Sequence, residues 1–280
     1  MNTFLLLAIL ALTACSTTPQ KMPAPVTPPG GTITDLRTGK MLSPSQLISY
    51  LADEPRVIIG EKHDNPYHHQ IENWLVQSLP LLRPQGSVLM EMLTPAQQPQ
   101  VDKVKAWLQT NSDAQSTQVA EKLNWQKGWD WSMYSDVVMA AIKAPYPLLS
   151  ANLDRSEIMA FYQKPIFPAG KNSSDAKVKD AIAATIRTSH QQNIEPAQLN
   201  AMLAIQQQRD RRMAQRLLVA PQPALLIAGG YHAAKSLGVP LHVKDLDHAA
   251  KITVLILAEP GVIVDNTQAD YVWSTPATDH

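Results

Sequence analysis

Glu61, His63, Asp64, His68 and His69 fall within nine consecutive residues, directly after the apolar run Val57-Ile58-Ile59-Gly60. Imidazoles and carboxylates this close together can hold a divalent ion and activate water, or act as general acid and base on an ester. Their spacing is not that of a helical H-E-x-x-H zinc motif. Three further positions put polar groups after apolar runs: Glu91 after Ser87-Val88-Leu89-Met90, Asn152 after Leu148-Leu149-Ser150-Ala151, and Tyr231-His232 after the run ending Gly229-Gly230. A second cluster is aromatic, with Trp125, Trp129, Trp131 and Tyr134 holding three of the six tryptophans. Such rings pack in a core or stack on a broad flat ligand, and a tyrosine phenolate can ligate ferric haem.

Apolar runs at 56–60, 87–92, 146–152, 224–230 and 252–257 predict five core strands, with 252–257 as the final strand of the chain. Between them, Ile71, Trp74, Leu75 and Leu79, and then Val101, Val104 and Leu108, recur at helical spacing. Asn65-Pro66 reads as an N-cap and first-turn proline. The alternation predicts an α/β fold, a central mainly parallel sheet flanked by helices, with a helical insertion. A small hairpin should precede it, with strands at 32–35 and 40–42. Residues 164–175, rich in Pro, Gly, Ser and Lys, read as the most mobile loop, followed by helices at 178–188 and 196–218. In the second of these helices the polar run 206–212 reads as a solvated face. Ligands of open α/β sheets bind beyond the carboxyl ends of the strands. That rule brings Glu61, His63, Glu91, Asn152, Tyr231 and His232 to one edge.

Lys plus Arg and Asp plus Glu are balanced at 24 each, so charge gives no argument for a nucleic-acid partner. Residues 1–14 are an apolar stretch too short for a lasting membrane span and read as a signal peptide. Leu12-Thr13-Ala14-Cys15, which contains the chain's one cysteine, resembles the bacterial lipobox, making Cys15 a lipidated first mature residue. Ser16, in place of an aspartate, favours the outer membrane. Residues 15–31 then form a Pro-rich tether, and 32–280 a single α/β domain.

Gly60-Glu61-Lys62-His63, the Trp129 to Tyr134 stretch, Asn152 with Arg155, and Gly229-Gly230-Tyr231-His232 followed by Gly238-Val239-Pro240 resemble the ChaN-type haem-binding lipoproteins of Gram-negative bacteria. Their wider superfamily includes erythromycin esterases and the Tiki metalloproteases. The resemblance implies an outer-membrane lipoprotein of haem or iron acquisition, with haem as cofactor, a homodimer on haem binding and an outer-membrane haem receptor as partner. It further implies two haems face to face at the dimer interface. Each iron is then held by one tyrosine, and its propionates by a histidine of the other subunit. Tyr134 is the first choice for the iron ligand, followed by Tyr231 and Tyr162. For the propionates the choices are His232 or His63, then His68 and His69, with Arg155 as charge partner and Glu61 as part of the wall. The alternative is a metal-dependent or acid/base hydrolase using Glu61, His63, Glu91 and His232.

Overall fold

The structure is a computed structural model that describes residues 27–278; the expected signal peptide and Cys15 lie outside the described residues. In chain order the elements are β1 (Thr32–Asp35), β2 (Lys40–Leu42), α1 (Pro44–Ala52), β3 (Arg56–Glu61), α2 (Pro66–Leu82) and β4 (Ser87–Met90). A 3-10 turn, Pro95–Gln97, leads into α3 (Gln98–Leu108), α4 (Ser116–Lys122), α5 (Trp131–Lys143), β5 (Leu148–Ser150) and α6 (Arg155–Gln163). The chain continues with α7 (Ala176–Ser189), α8 (Pro196–Val219), β6 (Ala224–Gly229), α9 (Gly230–Ala233), α10 (Val239–Leu246), β7 (Thr253–Ala258) and β8 (Tyr271–Ser274).

Among the described residues the strands form one eight-stranded sheet in the order β2-β1-β8-β7-β3-β6-β4-β5. Pairs from β8 to β5 are parallel, whereas β1 pairs antiparallel with both β2 and β8. This is the predicted α/β architecture. Alternate strand residues divide between two cores, as a period of two requires. Val57, Ile59, Val88, Met90, Leu225 and Ile227 pack under α1, α2, α3 and α5. Ile58, Leu89, Leu226, Val254 and Ile256 meet Met213, Ala214 and Leu217 of α8, with Val239 and Val243 of α10. Among the described residues no helix is long and apolar enough to cross a membrane.

Three expectations need correction. The run at 252–257 is not the final strand, because β8 follows it in the chain, lies between β7 and β1 and buries Trp273 against Trp74. Residues 164–175 are tied down: Asp245 accepts hydrogen bonds from the backbone and side chains of both Asn172 and Ser173. Gln207 also donates to Ser173 O, and Gln208 to Ile166 O. The 206–212 run is not a uniformly solvated face either, since Gln207 and Asp210 are buried. A helix in a 3.6-residue period turns some residues of any polar run inward, and here the inward ones have partners waiting.

Candidate functional site

Parallel pairing aligns Glu61 at the end of β3 with Gly229 at the end of β6, and Met90 of β4 with Ile227. The groups that follow these strands therefore arrive together. Asn65 caps α2 by accepting from the Tyr67 and His68 amides, which turns the chain sharply and holds His63 beside Glu61. Glycine is needed at two of these crossings. A Cβ on Gly229 would lie 2.9 Å from His63 Nε2, and one on Gly60 would lie 2.7 Å from the Ala233 Cβ.

Two linked networks result. In the first, Glu61 Oε1 accepts from Tyr134 OH at 2.7 Å and sits 2.8 Å from His63 Nδ1, which also lies 3.1 Å from the phenol oxygen. His63 is the open member, with a half-exposed side chain whose ring meets Trp129 edge to face. Burial works to lower the His63 pKa, but the bond to Glu61 and the charge of Glu91 raise it above the usual value. In the second network, His232 Nδ1 pairs with Asp210 at 2.6 Å and Nε2 lies 3.4 Å from Glu91. The Gly229 amide donates to the other Glu91 oxygen. Burial opposes charge on His232, yet the Glu91 and Asp210 carboxylates win and raise it to about 9. Burial likewise works to raise Glu91, and His232 and His63 outweigh it and hold it low. Asn152 donates to the Glu91 carbonyl, so it braces the turn instead of facing a ligand.

The strand-end residues Glu61, His63, Glu91, Asn152 and His232 are thus brought together as the topology required. Tyr231 is exposed beside them, 65% accessible, at a shallow groove lined by Ile182, Ile186 and Leu237. Tyr134 does not suit the role of iron ligand expected for it. It is 1% exposed, its hydroxyl is committed to Glu61, and burial together with the Glu61 charge pushes its pKa far up, holding the phenol neutral. His68 and His69 are also buried and so are not open to propionates. Burial and the neighbouring His69 lower His68 to about 4, and its Nδ1 accepts from the Lys62 amide. The aromatic cluster is mainly packing: Trp125 meets Trp131 and Tyr134, and all three tryptophans lie partly buried on the core.

Arg155 and Tyr162 lie on α6, which has no buried residue. Arg155, Met159 and Tyr162 recur at spacings of four and three, so they share one exposed face. Sequence reasoning overlooked Glu72 and Asp210. Glu72 hides in the apolar stripe of α2, and Asp210 in the polar run of α8; the only signal was a charge placed on a face whose neighbours are apolar.

Glu72 is fully buried, and burial together with the Glu61 charge raises it to about 8. Burial opposes charge on His69 between them, but the bond and charge of Glu72 and the charge of Glu61 raise it to about 9.

The solved structure of ChaN of Campylobacter jejuni with cofacial haem binding superposes with a TM-score of 0.79 at 33% identity, covering 87% of this chain and 96% of that one. The type III effector HopBA1 (13% identity, 83% and 92% covered, TM-score 0.44) and the erythromycin esterase EreC (12%, 87% and 81%, TM-score 0.46) are distant likenesses. Curated protein sequences yield no match. The family model described as haem-binding uptake, Tiki superfamily, ChaN matches residues 47–243. With that match over most of its length, this chain belongs to the ChaN family of haem-binding uptake proteins in the Tiki superfamily.

Proposed function

We propose that this protein binds haem in haem or iron acquisition, as a lipid-anchored outer-membrane protein, and that Tyr162 is the iron ligand. The observation that carries the assignment is the exposed face of α6. α6 lies on α8, tied by Arg212 to Glu157 and with Ile158 and Phe161 partly buried, while its other face leaves Arg155, Met159 and Tyr162 exposed. Those three types fit haem: a phenol for ferric iron, a thioether side chain for the porphyrin face, and a guanidinium for a propionate. Tyr231, beside the Ile182 and Ile186 groove, is the next choice. A ring held on an exposed helix is half covered, so a second copy would complete the site. The cofacial haem arrangement of the Campylobacter jejuni relative supports that reading. A hydrolytic use finds only His63 open to a substrate, since Glu91 and His232 are buried and bound to the Gly229 amide and Asp210.

Titrating the full chain with ferric haem should give a shifted Soret band and the charge-transfer band of tyrosinate. Tyr162→Phe should remove that band, whereas Tyr134→Phe and Tyr231→Phe should retain it. Spectra of free haem at every ratio with the wild type would refute haem binding. An unchanged spectrum in Tyr162→Phe would refute only the ligand assignment.

A further inference from the structure

Behind the open edge, Glu61, His69 and Glu72 form a buried constellation that shares Glu61 with the first network. One ligand atom from each lies within 4.8 Å of the others. Glu61 comes from the end of β3, while His69 and Glu72 stand three residues apart on α2 and so face the same side. The two oxygens of Glu61 have different surroundings. Oε1 accepts from Tyr134, whereas Oε2 is buried, accepts no hydrogen bond from the described residues, and faces His69 Nδ1 at 3.4 Å. Glu72 Oε2 lies 3.1 Å from the same nitrogen, and its Oε1 is buried without a donor.

The tautomer of His69 sharpens this. His69 Nε2 lies 3.0 Å from the His63 carbonyl, which can only accept, so Nε2 carries a proton. The Nδ1 of a neutral ring then points a lone pair at two carboxylates. Protons on Nδ1 and on Glu72 can balance the charges, but they leave Glu61 Oε2 and Glu72 Oε1 buried without a hydrogen-bond partner among the described residues, a costly state in a buried place. One divalent cation would accept the Nδ1 lone pair, bind both carboxylates and make the group neutral.

We propose that Glu61, His69 and Glu72 hold a divalent transition-metal ion, a site distinct from the haem-binding face. One imidazole and two carboxylates are a donor set suited to zinc, manganese or ferrous iron. The bond from the remote His69 nitrogen to a backbone carbonyl, and that from Tyr134 to Glu61, are the outer contacts that orient metal ligands. The ion would anchor α2 to the end of β3 and so fix Glu61, on which His63 leans.

The test uses the full chain without haem, refolded with equimolar Mn2+ or Zn2+, dialysed, and assayed for metal content. About one equivalent of at least one metal should remain, and chelation should lower the melting temperature. Glu72→Gln and His69→Gln should retain less than a tenth of that, while the exposed His248→Ala retains it all. Tyr134→Phe, which keeps every ligand, should weaken binding by roughly 10- to 100-fold, a readout that does not depend on the ligand variants folding. No retained metal in the wild type would overturn the proposal, as would equal retention by Glu72→Gln, which would place the metal elsewhere.

Discussion

His232 shows how one buried side chain ties stability to pH. Its folded pKa, about 9, lies above the ordinary 6.5 because Glu91 and Asp210 favour the cation against the effect of burial. A raised folded pKa gives stability that is complete below the unfolded value and is lost as pH rises through the folded one. The shift of roughly 2.5 pH units corresponds to at most about 3 kcal/mol across pH 6.5 to 9. Urea unfolding at these two pH values should show the wild type losing stability on the alkaline side. His232→Asn should lose less, and the difference between the two proteins is the quantity to read, because Glu72 and His69 titrate in the same direction. Equal losses in both proteins would count against the charged pair. At this scale Glu61, His63, Glu91 and His232 were legible in the sequence because strand ends announce themselves. The bond from Tyr134 to Glu61 was not legible, because an aromatic cluster has the same letters whether its phenol faces solvent or a buried carboxylate.

Among the elements, the 164–175 segment shows how far composition can mislead. Proline, glycine and serine correctly predicted irregular backbone, but irregular is not loose. Asp245, on α10, accepts four bonds from Asn172 and Ser173, and these outweigh burial and pull its pKa down to about 2. Its stabilisation is therefore present above pH 4 and is lost only as pH falls towards about 2. Asp245→Asn should cost roughly 1.5 to 3 kcal/mol, the range for hydrogen bonds to a charged group. Limited proteolysis at neutral pH should then cut between residues 164 and 175 far faster than in the wild type; unchanged cleavage would mean the segment is held elsewhere. β8 escaped notice for a related reason. Tyr271–Ser274 is four residues long, and only its partners β1 and β7 identify it as a strand.

For the molecule as a whole, the α/β architecture could be foreseen because helical and strand periods alternate cleanly, and the family resemblance is borne out by the match over residues 47–243. Dimerisation could not be read in this way, since an interface depends on which face is left uncovered after folding. If haem bridges two copies through α6, haem and protein concentration are linked by mass action. Haem at about 100 times its Kd should add roughly 2.7 kcal/mol of stability. Analytical ultracentrifugation should show monomer becoming dimer as haem is added, and Tyr162→Phe should stay monomeric. A monomer saturated with haem would exclude the shared site.

The position of β8 also constrains the order in which the molecule is made. β1 and β2 are among the first residues of the domain to be synthesised, yet β1 has its second neighbour only in residues 271–274. Trp273 then donates its indole N–H to the Gly30 carbonyl, at the point where the chain enters the domain. Until those residues emerge, the hairpin keeps an unpaired edge open to other chains, and the closing contact spans nearly the whole sequence, which slows it. Completing the fold and fastening its entry strand are thus a single late event, so a chain still being synthesised keeps its sheet open until its last strand has emerged.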